Sequence, residues 1–227
     1  MIKINVFSKL FSYLAPITIE SQSSQVNPEL KIVLFQGKLI LDADKANYSF
    51  GELHKVFQKS FAELDIKSKP IDEVLILGFG CGSVASILHK ELKINCNITG
   101  IELDKKVIEL GQKYFPEIFT DSKIQIINDS AENLTLFPDK HFDLVVMDVY
   151  EDISVPEFLE TEKHLSEVVR ILKPGGLYVF NKVLSNYKDA AMFKGFKEQF
   201  ESKFGKVDYV NIRGINSVLA GTKTRSN

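Results

Sequence analysis

Residues 74–88 read VLILGFGCGSVASIL, and this stretch decides the fold. Val74, Leu75, Ile76 and Leu77 form an unbroken aliphatic run, the pattern of a strand buried on both faces. Gly78, Gly80 and Gly82 follow at alternate positions. Glycines let the backbone turn tightly and approach a ligand closely. Ser83 is placed to cap a helix whose apolar face carries Val84, Ile87 and Leu88. The start of such a helix offers unpaired N–H groups to a polar or anionic group. Strand, glycine turn and helix make the first unit of a doubly wound sheet, with a ligand at the strand's carboxyl end. From the glycines alone, an ordinary strand-to-helix turn reads the same way.

The neighbouring unit narrows the choice. Residues 97–101 read as a second strand with Glu102 at its end, about twenty residues past the turn, where doubly wound nucleotide folds place an acid on ribose hydroxyls. One carboxylate accepts hydrogen bonds from both hydroxyls of a vicinal diol. Asp104 opens the following helix and reads more simply as its cap. Turn and acid together point to a nucleoside cofactor.

The composition sets bounds on the rest. A chain of 227 residues with 44% hydrophobic and 26% charged residues holds one large α/β domain and a small appendage. A net charge of −2 gives no footprint for nucleic acid or an anionic membrane. Two cysteines, Cys81 and Cys96, are too few for a disulfide framework and fit a reducing, cytoplasmic setting. His54, His89, His141 and His164 lack ligand spacing, so no metal site is expected. No run is long enough to span a bilayer. Phe7, Leu10, Phe11 and Leu14 fall on one helical face before Pro16, and we read a short amphipathic helix packed on the body of the protein.

Residues 17–21, 30–35 and 38–41 read as three short strands of a small antiparallel sheet, and 42–49 as a polar loop in which Tyr48 reads as a packing residue before it reads as a candidate lid. A helix over 51–66 leads into the glycine strand. Beyond Glu102, helical and strand patterns alternate: a helix over 104–115, strands over 123–127 and 142–147, a helix over 155–172, a strand over 177–180 and a helix over 189–204. Residues 207–212 and 217–220 close the chain as an antiparallel hairpin. The expected fold is α/β, a doubly wound, mostly parallel seven-stranded sheet with a small N-terminal β-region. The division is an N-terminal helix and β-region over 1–50 and the larger domain over 51–227.

Five stretches carry a resemblance: ILGFGCGS (76–83), GIELD (100–104), INDSAENL (127–134), FDLVVMDVY (142–150) and LKPGGLYVFN (172–181). With the closing hairpin, they resemble the class I S-adenosylmethionine-dependent methyltransferase superfamily, and the hairpin and LKPGG turn argue against a nicotinamide dehydrogenase. Within that superfamily the chain looks most like the spermidine synthase branch. A β-region precedes the cofactor domain, a helix with Glu52, His54 and Lys55 joins the two, and Asp148 is followed by Pro156, Phe158, Leu159 and Thr161.

The resemblance implies roles. Gly78, Gly80, Cys81 and Gly82 would cradle the amino-acid-like tail of S-adenosylmethionine or its decarboxylated form. Glu102, with Leu103 beside it, would hold the ribose. Asp129, Ser130 and Ala131 would border the adenine, Asp129 through the exocyclic amine. Asp148 matches the catalytic aspartate and also faces the cofactor. Tyr150 would shape the acceptor pocket, and Glu151 takes the place of a second family aspartate. The implied acceptor is a small molecule of which a polyamine is the family example, and a homodimer is expected by analogy.

The sequence departs from the branch in one telling place. Cys81 stands where an aspartate would contact the cofactor, and a turn without that acid suits the carboxylate of ordinary S-adenosylmethionine better. A methyltransferase acting on a small amine or other metabolite therefore stays open, as does a nucleoside-binding scaffold without turnover. For either transfer Asp148 is the candidate proton acceptor, since an amine must be neutral to act as nucleophile. Glu151 and Asp152 are candidate anchors for a second ammonium, or solvated loop acids.

Overall fold

The computed structural model describes residues 5–43, 46–150, 155–183, 187–212 and 216–225. Helix α1 (Val6–Phe11) is followed by four antiparallel strands in the order β1 (Ile17–Gln22), β2 (Leu30–Phe35), β3 (Lys38–Ala43) and β4 (Ala46–Ser49). The sequence reading took residues 42–49 for a loop. Instead β3 runs on to Ala43, and a register shift at Leu41/Asp42 lets β4 return beside it. The side chain of Tyr48, the candidate lid, lies outside the described residues.

A second correction concerns α1. The apolar residues Val6, Phe7, Leu10 and Phe11 of α1, and Leu14 beyond it, are 60–83% exposed. Its end is tied to the β2–β3 turn, where Ser12 accepts the N–H groups of Gln36 and Gly37.

Helix α2 (Glu52–Glu63) leads to β5 (Glu73–Leu77), the glycine strand. The larger sheet has the order β10-β11-β9-β8-β5-β6-β7, with β6 (Asn97–Ile101), β7 (Ile124–Ile127), β8 (Phe142–Met147), β9 (Leu172–Val183), β10 (Lys206–Asn211) and β11 (Asn216–Thr222). β11 runs antiparallel to both its neighbours, β9 and β10, and the pairs from β9 to β7 are all parallel. From β5 the chain winds outward through β6 and β7, then returns to the other side of β5 at β8. The strand order reverses there, and a doubly wound sheet opens a crevice at such a switch point.

The alternation in β5 explains its all-apolar sequence. Val74 and Ile76 enter one core with Phe57, Phe61 and Val84, while Leu75 and Leu77 enter another with Tyr178, Phe180 and Phe200. Leu30, Ile32 and Leu41 of the small sheet join the first core, so the two sheets share one apolar interior on that side. The LKPGG segment is part of a twelve-residue β9, bent at a register shift opposite Phe142/Leu144. Helix α3 (Ser83–Ser86) is a single turn that widens into a π-type turn over Ile87–Glu91. Helices α4 (Lys105–Tyr114), α5 (Pro116–Phe119), α6 (Glu162–Ile171) and α7 (Tyr187–Lys203) complete the described elements. Among these residues no helix is long and apolar enough to cross a membrane.

Candidate functional site

The crevice at the carboxyl ends of β5, β6 and β8 holds a cleft open to solvent, with a cavity volume of about 100 Å³. Gly78, Gly80, Ile101, Glu102, Leu103, Asp129, Ser130 and Ala131 line one part of it. Asp148, Val149, Tyr150, Pro156 and Phe158 line the other, and Val26 reaches in from the small sheet. A concave cleft, mostly apolar with a few convergent polar groups, is the usual form of a small-molecule site.

The glycine turn is shaped chiefly by packing. Gly78 has φ +81°, and a Cβ there would lie 2.3 Å from the carbonyl oxygen of Asp148. Only glycine lets the end of β5 pass so close beneath the end of β8. Gly82, at φ +88°, would drive a Cβ into Ile118 at 2.6 Å. Gly82 therefore serves the contact between the turn and α5 and is not part of the cleft lining. Cys81 does not line the cleft either. It is wholly buried, with its Sγ 3.9 Å from the carbonyl of Val107, and burial pushes its thiol well up.

The backbone donors of the turn are also committed. Gly78 and Phe79 donate to the carbonyl of Ile101, Gly80 to Glu102 Oε2 at 2.8 Å, Cys81 to Ser49 Oγ at 3.0 Å, and Gly82 to the carbonyl of Phe79. The N–H groups of residues 78–82 are thus all engaged within the protein. Ser83 does not cap through its hydroxyl as the sequence suggested. Its Oγ pairs with His54 Nδ1 at 2.7 Å, and His54 Nε2 pairs with Glu91 at 2.7 Å.

Glu102 is buried at the end of β6 and held at both oxygens. Gly80 N–H donates to Oε2 at 2.8 Å and Asp104 N–H to Oε1 at 2.9 Å. Burial pushes its carboxyl up to about 7, against the pull of those two N–H groups and with the Asp104 charge adding to the rise. Asp104 caps α4 through Lys106 N–H at 2.9 Å, as its sequence position suggested. Asp129, at the end of β7, accepts from Ser130 N–H at 2.7 Å and from the Asn133 amide at 3.1 Å, which fixes its orientation on the cleft wall.

Asp148 sits across the cleft at the end of β8. Burial pushes its carboxyl up to about 7; the Asn181 amide, donating to Oδ1 at 3.2 Å, opposes this, and the Glu102 charge adds to it. No hydrogen bond from the described residues reaches Oδ2. Tyr150 donates its hydroxyl to the carbonyl of Asn181 at 3.0 Å, so one residue of β9 braces both groups. Glu151 and Asp152 lie outside the described residues.

The structure thus brings together Gly78, Gly80, Glu102, Leu103, Asp129, Ser130, Ala131, Asp148 and Tyr150, and leaves Cys81 and Gly82 behind the wall. The sequence reading missed Val26, Ile101, Val149 and the bracing Asn181. Asn181 carried a readable signal, a polar residue ending the apolar run LYVF. Val26 carried none, since it sits in a polar loop. Three lining residues are carboxylates, and none of the described lining residues is cationic.

Comparison with known proteins adds to this. Residues 74–176 match a family described as Methyltransferase domain. A probable polyamine aminopropyl transferase of Bifidobacterium longum is 30% identical over 135 residues, 59% of this chain but 29% of that protein, so the chain spans less than a third of that relative. A spermidine synthase crystallised with the transition state analogue AdoDATO superposes with a TM-score of 0.69 at 18% identity, over 91% of this chain and 73% of that one. Human Methyltransferase-like protein 13 in complex with SAH gives a TM-score of 0.63 at 20% identity, over 77% of this chain and 83% of that one. Sheet order and these likenesses agree: the chain has the class I methyltransferase fold, and its sequence is similar to polyamine aminopropyl transferases.

Proposed function

We propose that this chain is a spermidine synthase-like transferase that holds an adenosyl sulfonium cofactor in the cleft and alkylates an amine acceptor. The observation that carries the reading is Asp148: a part-buried carboxylate at the cleft wall, with one oxygen braced by Asn181 and the other without a hydrogen bond from the described residues. When bound, the cofactor would supply an electrophilic carbon next to sulfur. The protein's share of the chemistry is position and proton transfer. Glu102 meets the ribose hydroxyls, its carboxylate already aimed by Gly80 and Asp104. Asp129, Ser130 and Ala131 border the base, and Leu103 covers the sugar. Asp148 anchors the acceptor amine and takes its proton. A base with a pKa raised to about 7 combines deprotonation near neutrality with a useful proton affinity. Tyr150, fixed on Asn181, walls the acceptor side.

The charge balance favours the decarboxylated cofactor and a cationic acceptor. Three carboxylates line the cleft, and the N–H groups of Gly78 to Gly82 are all engaged within the protein, so a ligand carboxylate meets no donor from the turn. The second reading is methyl transfer. Cys81, buried where the spermidine synthase branch carries an acid, leaves the free ammonium of a decarboxylated cofactor without that partner.

Titration calorimetry with both sulfonium cofactors, followed by mass spectrometry of products from a panel of di- and polyamines, separates the two. Aminopropyl transfer requires preference for the decarboxylated form and a propylamine mass increment. Preference for the carboxylated form and a methyl increment defeats it.

A further inference from the structure

Strand β1 and the loop after it are fastened to opposite ends of α4. At its C-terminal end the Glu20 carboxylate accepts from Lys113 Nζ and the Tyr114 hydroxyl. At its N-terminal end Asp104 Oδ2 accepts from Ser24 Oγ and, at 2.7 Å, from the Asn27 amide. The loop between is folded on itself: Ser24 Oγ also accepts the N–H groups of Val26 at 3.1 Å and Asn27 at 2.8 Å. Val26 is therefore carried on a braced tip at the mouth of the cleft.

Asp104 is the meeting point of three structures. One oxygen holds the loop tip, the other caps α4, and its N–H steadies Glu102. At the same mouth, two large apolar side chains are left half uncovered, Val26 at 45% and Leu103 at 52% exposed. Apolar side chains lining a cleft but facing water gain when a flat, weakly polar ligand covers them.

We infer that the β1–β2 loop is the outer wall of the nucleoside site: Ser24 and Asn27 are positioning residues that seat Val26 over the bound nucleoside opposite Leu103. This rests on the proposed cofactor and adds residues that none of the strand-end motifs contains. The loop touches no reacting atom. Its effect falls on affinity and residence time, while turnover at saturation is spared.

The test uses the full chain and two product nucleosides as probes, S-adenosylhomocysteine and methylthioadenosine. Wild-type protein should bind at least one of them, with slowed hydrogen exchange over residues 23–29. The double variant Ser24→Ala/Asn27→Ala should bind about ten-fold more weakly, the loss expected for hydrogen bonds to a charged group, chiefly through faster dissociation. Val26→Ala should weaken binding several-fold, and Ser24→Thr, which keeps the hydroxyl, should bind like wild type. Thermal unfolding of each variant separates loss of the fold from loss of the contact. Unchanged affinity in the folded double variant, or exchange over 23–29 that ignores the nucleoside, overturns the inference. If the wild-type protein binds neither probe, the cofactor reading itself has failed, and the inference falls with it; that outcome is visible before any variant is made.

Discussion

Glu102 and Asp148 end neighbouring parts of one sheet, Glu102 buried and Asp148 part-buried on the cleft wall, and desolvation pushes both up to about 7. Yet they are built differently. Glu102 receives a backbone N–H at each oxygen, one from Gly80 and one from Asp104. Asp148 receives one side-chain amide at one oxygen. Backbone donors at both ends leave a carboxylate little freedom to rotate or to be replaced. A single amide leaves an oxygen free to meet a ligand. Two acids with the same raised pKa therefore divide the work: Glu102 is held as a fixture and Asp148 is kept available.

The amide isosteres break this comparison if it is wrong. Asp148→Asn should lower turnover by about 10²–10⁴-fold, the range for loss of a general base, with nucleoside affinity nearly unchanged. The same change removes a partly desolvated charge, and its carbonyl oxygen still accepts from Asn181, so the melting temperature at pH 8 should hold or rise. Glu102→Gln should do the reverse. Whichever way the amide turns, its NH₂ faces a backbone N–H, and a buried donor is left unpaired at about 1–3 kcal/mol. Nucleoside affinity and stability should both fall. Calorimetry and thermal unfolding on the pair decide the matter; equal losses of stability would erase the distinction between fixture and reactive group.

The pH response sharpens it further. Asp148 must be unprotonated to take a proton, so kcat/KM should rise with pH through a midpoint near 7. Stability should run the other way. In the unfolded chain both acids titrate near 4, whereas in the folded protein they hold their protons up to about 7. The folded state thus binds more protons between those values, and its stability should fall as pH rises across that window, then level off. Urea unfolding at pH 5, 6, 7 and 8 checks this, and each amide variant should flatten part of the slope.

The same contrast explains what could be read in the sequence. Gly78, Glu102, Asp129 and Asp148 each end a strand, so an apolar run followed by one special residue marks them locally. Their convergence then follows from a parallel sheet whose strands all end on one side. The rest depends on distant partners. Gly82 looked like part of the cradle because nothing nearby in sequence reveals Ile118, the residue it makes room for. Ser24 and Asp104 are 80 residues apart, and a polar loop gives no sign of where it will land. The apolar face of α1 has a helical period that predicts burial, but periodicity says nothing about whether a surface exists to receive it. The extra strand β4 owes its place to a register shift, which composition does not encode.

The smallest effect tests the brace behind Asp148. Asn181→Leu removes the one described donor to its carboxylate, and with it the interaction that holds the pKa down against burial. The midpoint of the pH–rate profile should move upward, so turnover at pH 7 falls several-fold while turnover at pH 9 stays close to wild type. The Tyr150 hydroxyl bonds the main-chain carbonyl of residue 181, which the change preserves, so the acceptor wall should keep its shape. Asn216 loses its partner in Asn181 Oδ1, a modest cost that unfolding measurements register separately. A profile that drops uniformly at every pH would assign Asn181 to packing alone. A shifted midpoint with an intact plateau would show that β9 sets when Asp148 becomes a base, and that its single amide is tuned where the two backbone donors on Glu102 are fixed.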